Sequence, residues 1–358
     1  MATTTPTPSA ARPTPGTATR RATRRPAATA DLFAALAARL TGRDRWILGM
    51  LAEHRVLTTT QIAALGFPHR RNAERRLAAL WQWRCVDRFR PHTVFGAGSA
   101  PWHWVLDDAG AAVLTAAYGL PGPAGLAHRR GAALAVAHSQ RLSHTVGTNT
   151  LLAGLARTGQ LGCWWGERRC TAAWGDLARP DAAATWHTPT GAAAGYAVEY
   201  DTGTEPLTRV AAKLADYADL AAAVGQVLPV LFWLPTATRE TALHRQFDPA
   251  ALATTPHAPT WPHRARATTA GARAGGLLVA TAAADHATTT GGPAGRVWRP
   301  ADPGSGGPRA RLTLDQLTAA WSRVSTLPVA AVDVGLGWPA PAPLPPDRAR
   351  DGARPWGA

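Results

Sequence analysis

Apolar residues recur at helical spacing through the first part of the chain. Trp46, Ile47 and Met50 share one face of a predicted helix, and Leu77 and Leu80 share one face of another. Two short apolar stretches follow, separated by a Gly/Pro-containing loop, and this pattern predicts two strands. The predicted elements are a helix over 31–40 capped by Asp31, a helix over 43–54, a short helix capped by Thr58 or Thr59, a helix from about Arg70, strands over 86–90 and 103–106 around the loop 91–101, and a helix over 108–118.

The pattern changes between residues 138 and 299, where apolar strands alternate with helical segments. Such alternation predicts an α/β layer, so the expected fold class is α/β, or α+β for the whole chain. The predicted elements are a helix over 142–155, a strand over 161–165, a strand introduced by Arg179-Pro180-Asp181, a strand over 196–201, a helix over 205–224, a strand over 227–234, a helix that ends near Gln246 and a strand over 276–280.

Glycine and proline set the expected domain limits. The 358 residues include 34 Gly and 30 Pro, which crowd toward the two ends. We therefore predict a disordered tail over 1–30, a first domain over 31–120, a linker over 121–137, a second domain over 138–299 and a Pro/Gly-rich tail over 300–358. Within the last tail, only 312–324 has a helical pattern, and the final thirty residues are expected to be disordered.

Composition excludes several classes of protein. The 15 Trp and the long apolar segments exclude a wholly disordered chain. The most apolar stretch, 220–234, contains Gly225, Gln226 and Pro229 and is too short to span a bilayer. No signal peptide is predicted, because the first thirty residues lack an apolar central run. Three cysteines without metal-type spacing indicate reduced thiols, and the predicted location is the cytoplasm.

The formal net charge of +15 favours an anionic partner, and its distribution indicates which part of the chain binds it. Residues 1–30 carry five Arg and no acidic residue, and residues 39–92 carry eleven Arg against four acidic residues. Residues 138–235 carry seven basic and eight acidic residues. The basic surface is therefore predicted in the N-terminal part, and carboxylates gather in the middle of the chain.

Helix, short helix, basic helix and a two-stranded wing follow one another in the order of a winged helix-turn-helix. The outer face of the basic helix is predicted to carry Arg70, Arg71, Arg75 and Arg76, and the wing adds Arg88 and Arg90. Guanidinium groups so placed can meet phosphates or guanine edges, so double-stranded DNA is the predicted partner. The alternative is a solvated basic face on a winged helix that binds protein.

Asp181, Glu199 and Asp201 form the candidate catalytic and metal-binding group. Glu199 and Asp201 lie two residues apart on a predicted strand and should share one face. Converging carboxylates need a positive charge among them, and Mg²⁺ or Mn²⁺ fits because hard cations prefer oxygen ligands. Lys213, the one lysine beside 37 arginines, is expected to reach this face from the following helix. The alternative is a structural group of carboxylates at strand ends.

This arrangement resembles the restriction-endonuclease-like nucleases. Their signature is Pro-Asp, a spacer, and then acid-x-Lys on the adjacent strand. Pro180-Asp181 and Glu199 match it, whereas Asp201 stands where the lysine is expected. Some members carry the lysine on the following helix, which would assign that role to Lys213. The resemblance implies a nuclease-like fold for residues 138–299.

A longer resemblance covers residues 43–285. Arg43-Asp-Arg-Trp, the run Val56 to Ala63, Arg75-Arg-Leu with Val86-Asp-Arg-Phe, and Leu106-Asp-Asp-Ala-Gly resemble the opening of the actinobacterial replication-relaxation proteins. His144 and Asn149 are similar to that family's His-containing helix. The most specific part is the run Glu199 to Glu205 followed by Lys213-Leu-x-x-Tyr217. The resemblance implies a role in replication and relaxation of plasmid DNA.

Two main hypotheses follow for function. The first is a DNA-binding protein of plasmid or mobile-element replication and DNA relaxation, with replication or mobilisation proteins as possible partners and no membrane. The second is a metal-dependent DNA nicking endonuclease that uses Asp181, Glu199, Asp201 and Lys213. A transcriptional regulator is a further alternative.

Overall fold

The computed structural model describes residues 29–91, 100–121, 131, 135–139, 141–247, 277–301, 310–322, 324 and 326–347. Residues 1–28 of the predicted tail over 1–30, residues 92–99 of the predicted loop over 91–101, and residues 248–276 lie outside the described residues, as does most of the predicted linker over 121–137. Helices and two sheets together form a mixed α/β structure, which confirms the predicted fold class.

The N-terminal elements are helices packed on a small sheet. Threonine side chains cap three of the helices, and two of these threonines, Thr41 and Thr58, form capping boxes that Asp44 and Gln61 complete. The small sheet has the order β1-β3-β2 and is antiparallel. The elements are α1 (Ala30–Arg39), α2 (Gly42–His54), β1 (Leu57–Thr58), α3 (Thr59–Gly66), α4 (Arg70–Gln82), β2 (Val86–Phe89), β3 (His103–Leu106) and α5 (Asp108–Ala117).

The predicted elements of this part are confirmed to within about one residue at most ends. Two details differ. Thr29, not Asp31, caps α1, because the Thr29 hydroxyl accepts a hydrogen bond from the amide of Leu32. Strand β1 was not predicted, because two residues are too few to show an alternating pattern.

The second sheet has six strands in the order β4-β5-β6-β7-β8-β9. Strands β4, β5 and β6 are antiparallel neighbours, β6, β7 and β8 run parallel, and β9 is antiparallel to β8. The elements are α6 (Leu142–Ala156), β4 (Leu161–Gly166), α7 (Glu167–Trp174), β5 (Ala182–His187), β6 (Ala193–Tyr200), α8 (Leu207–Val224), β7 (Val230–Leu234), α9 (Ala237–Gln246), β8 (Val279–Ala283), α10 (Ala284–Ala287), β9 (Arg299–Pro300) and α11 (Leu314–Trp321).

Helix α7 was missed by the sequence analysis. It begins directly where β4 ends at Gly166, with no turn residues between strand and helix to mark the change. The glycine is needed there, since a Cβ at residue 166 would lie 2.8 Å from the carbonyl oxygen of Glu53. Strand β8 also begins at Val279 rather than at residue 276.

The prediction of disorder for the final thirty residues is wrong for residues 329–347. This segment, the C-terminal strap, runs from the second sheet to the N-terminal helices. Val329, Trp338 and Ala340 are buried along it, and the indole N–H of Trp46 donates to the carbonyl of Ala342 at 2.8 Å. Buried apolar side chains and satisfied carbonyls hold a Pro/Gly-rich segment in place without regular secondary structure. Residues 348–358 lie outside the described part.

One hydrophobic core extends through both predicted domains. It includes Leu51 and Leu77 from the N-terminal part, Trp164 and Trp186 from the large sheet, and Trp338 from the strap. The three cysteines, Cys85, Cys163 and Cys170, are buried and form no disulfide. None of the described helices has the length and apolar character that a membrane crossing requires.

An ion pair lies within this core, between α2 and α7. Glu53 and Arg169 are almost fully buried, with guanidinium-to-carboxylate distances of 2.9–3.1 Å. The neighbouring His54 ring stacks on Trp164 with ring centroids 3.9 Å apart. Burial, together with the charge of Arg169, lowers the pKa of His54 to about 3, so this histidine is neutral at physiological pH.

Candidate functional site

Two carboxylates meet at the edge of the large sheet where β6 ends and β5 begins. Asp181 immediately precedes β5, and Glu199 is the penultimate residue of β6. The antiparallel register pairs Ala182 with Val198, so the residues on either side of this pair are close in space. The structure thus brings together two of the three predicted carboxylates.

Glu199 is buried and hydrogen-bonded by side chains of α8. The Lys213 ammonium donates to Glu199 Oε2 at 2.7 Å, and the Tyr217 hydroxyl donates to Oε1. Burial and the nearby charge of Asp181 raise the pKa of Glu199 to about 7, against the opposing effect of Lys213. Burial by itself would lower the pKa of Lys213, but the charges of Glu199 and Asp181 raise it.

Asp181 contacts α6 and the backbone of β6. The His144 Nε2 atom lies 2.8 Å from Asp181 Oδ1, and the amide of Tyr200 donates to Oδ2 at 2.9 Å. Burial would raise the pKa of Asp181, but the hydrogen bond and charge of His144, with the charge of Lys213, lower it. Asp181, His144, Glu199, Lys213 and Tyr217 are hereafter the carboxylate site, which combines two acidic with two basic side chains.

Asp201 was predicted to join this group but makes different contacts. It follows the end of β6, and its carboxylate accepts two hydrogen bonds from the Arg239 guanidinium of α9. The amide of Gly203 donates to Asp201 Oδ1 at 2.9 Å, and Gly203 has a φ of +89° that favours glycine. Asp201 therefore stabilises the turn between β6 and α8, and Arg239 already balances its charge.

The donors around the carboxylates limit how a metal ion could bind. Among the described residues, no group of three or more His, Cys, Asp and Glu side chains is arranged to hold a metal ion. Asp181 and Glu199 suit Mg²⁺, which is often bound by one or two carboxylates with water and substrate phosphates. Each oxygen of this pair already contacts one proton donor, so an incoming cation would have to share these oxygens with those donors or displace them.

A second candidate surface is the outer face of α4. Ala73, Leu77 and Leu80 point into the core. At 100° per residue the opposite direction is occupied by positions 71, 75, 78 and 82, all of them exposed. We call Arg71, Arg75, Ala78 and Gln82 the outward stripe of α4. Of the predicted DNA-contacting residues, it contains Arg71 and Arg75.

The other two predicted arginines of α4 pair with carboxylates, whereas Arg75 of the outward stripe donates to Asn72 Oδ1 at 2.8 Å. Arg70 lies 2.8 Å from Glu74 in an exposed ion pair. Arg76 donates two hydrogen bonds to the buried carboxylate of Asp44 on α2, so it holds these two helices together. The prediction of Arg76 on the outer face is therefore corrected: it lies on the side of α4 that faces α2.

Arg88 on β2 and Arg90, which follows the end of β2, stack on tryptophan rings. The Arg88 guanidinium lies 4.1 Å from the ring centroid of Trp102 and 4.7 Å from that of Trp81. Arg90 lies 4.2 Å from the ring centroid of Trp102. Such cation–π contacts hold guanidinium groups in defined positions. Arg90 is exposed and Arg88 is half-buried.

The family model described as replication-relaxation matches residues 48–230, slightly more than half of the chain. The chain belongs to the replication-relaxation family. The matched region contains both the outward stripe of α4 and the carboxylate site, and the predicted resemblance is confirmed. No curated protein and no solved structure shows significant similarity to the chain.

In this replication-relaxation protein, three side chains that contact the candidate residues were not predicted from the sequence. His144, Tyr217 and Arg239 were not among the candidate site residues, although the first two lie in the motifs that resemble the family. Tyr217 follows Lys213 by four residues, which places both on one face of α8. That spacing is a usable signal for a shared partner, whereas the contact of Arg239 with Asp201 joins separate elements and leaves no local pattern.

Proposed function

We propose that this replication-relaxation protein binds duplex DNA through α4 and acts in plasmid or mobile-element replication. The observation that carries this proposal is the outward stripe of α4. Two arginines, a small residue and a glutamine lie on the side of the helix that faces away from the core. Arginine and glutamine are the side chains that hydrogen-bond guanine and adenine edges, and alanine leaves room for a thymine methyl group.

The surrounding elements support a winged helix-turn-helix. Helix α3 packs against α4, and the hairpin of β2 and β3 follows α4 along the chain. In this class of domain, the second helix of the turn enters the major groove and the neighbouring elements contact the backbone. Arg88 lies on the first strand of that hairpin and Arg90 directly after it, and both guanidinium groups contact tryptophan rings.

Arg71→Gln combined with Arg75→Gln is expected to weaken binding to duplex DNA. Each lost phosphate contact should reduce the magnitude of the slope of log K against log salt by about 0.9. For the double variant this slope should therefore be smaller by about 1.8. Fluorescence anisotropy of a labelled duplex over a series of salt concentrations measures both the affinity and the slope.

Arg157→Gln combined with Arg245→Gln is the matched control. These two arginines are also exposed, but Arg157 lies at the end of α6 and Arg245 lies on α9. Affinity and salt slope should stay close to those of the wild type in this control. An unchanged slope in the Arg71/Arg75 variant would remove α4 from the DNA-binding surface.

A second candidate function, a metal-dependent DNA endonuclease, is favoured by one observation. Asp181 and Glu199 lie at the edge of adjacent strands, and Lys213 of the following helix contacts Glu199. This placement resembles the nuclease-like signature with the lysine on the following helix instead of the strand. Asp181 and Glu199 would hold Mg²⁺ or Mn²⁺, which when bound would stabilise negative charge on a scissile phosphate. The Lys213 ammonium would offset the same charge.

Supercoiled plasmid incubated with Mg²⁺, Mn²⁺ or EDTA tests this second candidate. If it is correct, the metals support nicking, and Lys213→Ala and Asp181→Ala each lower the rate by about a hundredfold or more. Asp176→Ala is the control, because Asp176 is an exposed acidic residue before the same strand. A gel shift without nicking in any metal would leave a DNA-binding protein whose carboxylate site is structural.

A further inference from the structure

A groove of about 1040 Å³ lies beside the outward stripe, between α4 and the N-terminal end of α2. Arg43 of α2 and Asn72, Arg75 and Arg76 of α4 line it. The buried Asp44 carboxylate accepts both hydrogen bonds of Arg76, so this cation is already balanced. Arg43 and Arg75 remain as the cationic side chains through which the groove can bind an anion from outside.

The C-terminal strap places a carboxylate in this groove. Asp347 forms an ion pair with the Arg43 guanidinium, 304 positions away along the chain. The strap reaches this position because Ala342 is hydrogen-bonded by Trp46 and Pro346 packs against Gly42. The groove therefore accommodates an anionic oxygen next to Arg43.

We propose that the α2–α4 groove is a second contact for the DNA backbone, in which a phosphate binds Arg43 and Asp347 competes for the same guanidinium. The inference rests on the proposed duplex binding by α4. A phosphate oxygen has the charge and hydrogen-bonding capacity of the Asp347 carboxylate. Arg75 belongs to both the groove and the outward stripe, so a duplex lying along the stripe passes the mouth of the groove.

The strength of the Arg43–Asp347 pair suits a competitor that DNA can displace. The Arg43 and Asp347 side chains are 27% and 46% exposed. Water screens such a pair, and its net stabilisation is small. The release of counterions gives a polyanion such as DNA enough binding free energy to replace Asp347 at Arg43. In addition, the Arg43 guanidinium lies 5.1 Å from the Phe67 ring centroid, which keeps it at the groove when Asp347 leaves.

A double-mutant cycle on the full chain tests the inference by anisotropy with a labelled duplex. Asp347→Asn is expected to tighten binding about two- to fivefold, the range that an exposed ion pair allows. Arg43→Gln should weaken binding and reduce the salt slope by about 0.9. In the Arg43→Gln background, Asp347→Asn should have no further effect, because the competition requires the guanidinium.

Asp176→Asn is the matched control, since it neutralises an exposed aspartate that also pairs with an arginine, Arg179, away from α4. It should leave the affinity unchanged. Equal tightening by Asp347→Asn with and without Arg43 would indicate a general charge effect and overturn the inference. If the Arg71/Arg75 variant weakens binding but Arg43 and Asp347 variants behave like the wild type, the inference alone fails. If the wild type and Asp347→Asn both fail to bind the duplex, the proposed function fails with it.

Discussion

Glu53→Gln is expected to lower the free energy of unfolding by about 3–5 kcal/mol, the range for removing one partner of a buried ion pair. Both side chains of the Glu53–Arg169 pair are at most 1% exposed. Loss of the carboxylate charge leaves the guanidinium of Arg169 in the core without a counter-ion. Glu53 also accepts a hydrogen bond from the amide of Gly166 at 3.0 Å, at the start of α7.

The effect should be large because three distant segments depend on this pair. Arg169 donates not only to Glu53 but also to the carbonyls of Val332 and Trp338 in the C-terminal strap, at 2.9 and 3.0 Å. Helix α2, helix α7 and the strap therefore meet at one guanidinium. Arg169→Lys should also destabilise the protein, because an ammonium cannot make these planar, divergent hydrogen bonds.

Urea unfolding followed by tryptophan fluorescence measures both variants. Glu74→Gln is the control, because Glu74 forms an exposed pair with Arg70 whose side chains are 49% and 60% exposed. That substitution should change the free energy of unfolding by less than about 0.5 kcal/mol. A Glu53→Gln variant as stable as this control would show that the buried pair does not hold the segments together.

Lys213→Met is expected to destabilise the protein in a pH-dependent way, with little loss near pH 5 and about 2 kcal/mol near pH 8. This loss of stability is smaller than that expected for a fully buried pair, because the Lys213 side chain is 32% exposed. The ammonium stabilises the ionised form of Glu199, and its loss should raise the pKa of that carboxyl further above about 7.

The sign follows from proton counting. Glu199 in the unfolded chain ionises near its ordinary pKa of 4.5, whereas the folded wild type keeps the proton up to about pH 7. Between these values the folded state binds more protons, so the contribution of Glu199 to stability falls as the pH rises. Without Lys213 this fall continues to higher pH, with a slope of up to about 1.4 kcal/mol per pH unit.

Unfolding measured at pH 5, 6, 7 and 8 for wild type, Lys213→Met and Lys213→Arg checks this expectation. The arginine variant retains the positive charge and should follow the pH dependence of the wild type. Only the difference between variant and wild type is used, because buried neutral histidines such as His54 act in the opposite direction at low pH. A pH-independent difference for Lys213→Met would contradict the assigned coupling between Lys213 and Glu199.

Much of the fold was predictable because local signals agree with it. Thr41 and Thr58 mark helix starts, apolar residues at helical spacing mark the core side of α2 and α4, and the Glu199 strand precedes a helix at a glycine turn. The strap was not predictable, because Pro/Gly-rich composition also describes disordered segments. Only contacts with Arg169, Trp46 and the sheet distinguish it.

The candidate sites divide in the same way. Periodicity on α4 was sufficient to place Arg71 and Arg75 outward, but Arg76 turned to Asp44 of another helix, 32 positions earlier. Strand alternation predicted that Glu199 and Asp201 share a face. The strand ends at Tyr200, so the alternation stops before Asp201, and the Asp201 carboxylate pairs with Arg239 of α9 instead.

The sequence by itself determined most of the elements, the family and the residue types that carry charge, because these depend on neighbours within a few positions and on specific motifs. Tertiary structure decided which charges meet. Lys213 was expected to reach the carboxylates, and the fold made Glu199 its partner; the fold alone joined His144 with Asp181, Glu53 with Arg169 and Arg43 with Asp347. The physical reason is that a charge in a folded chain is balanced by whatever group packing brings near it. In this protein those groups lie 14 to 304 positions apart.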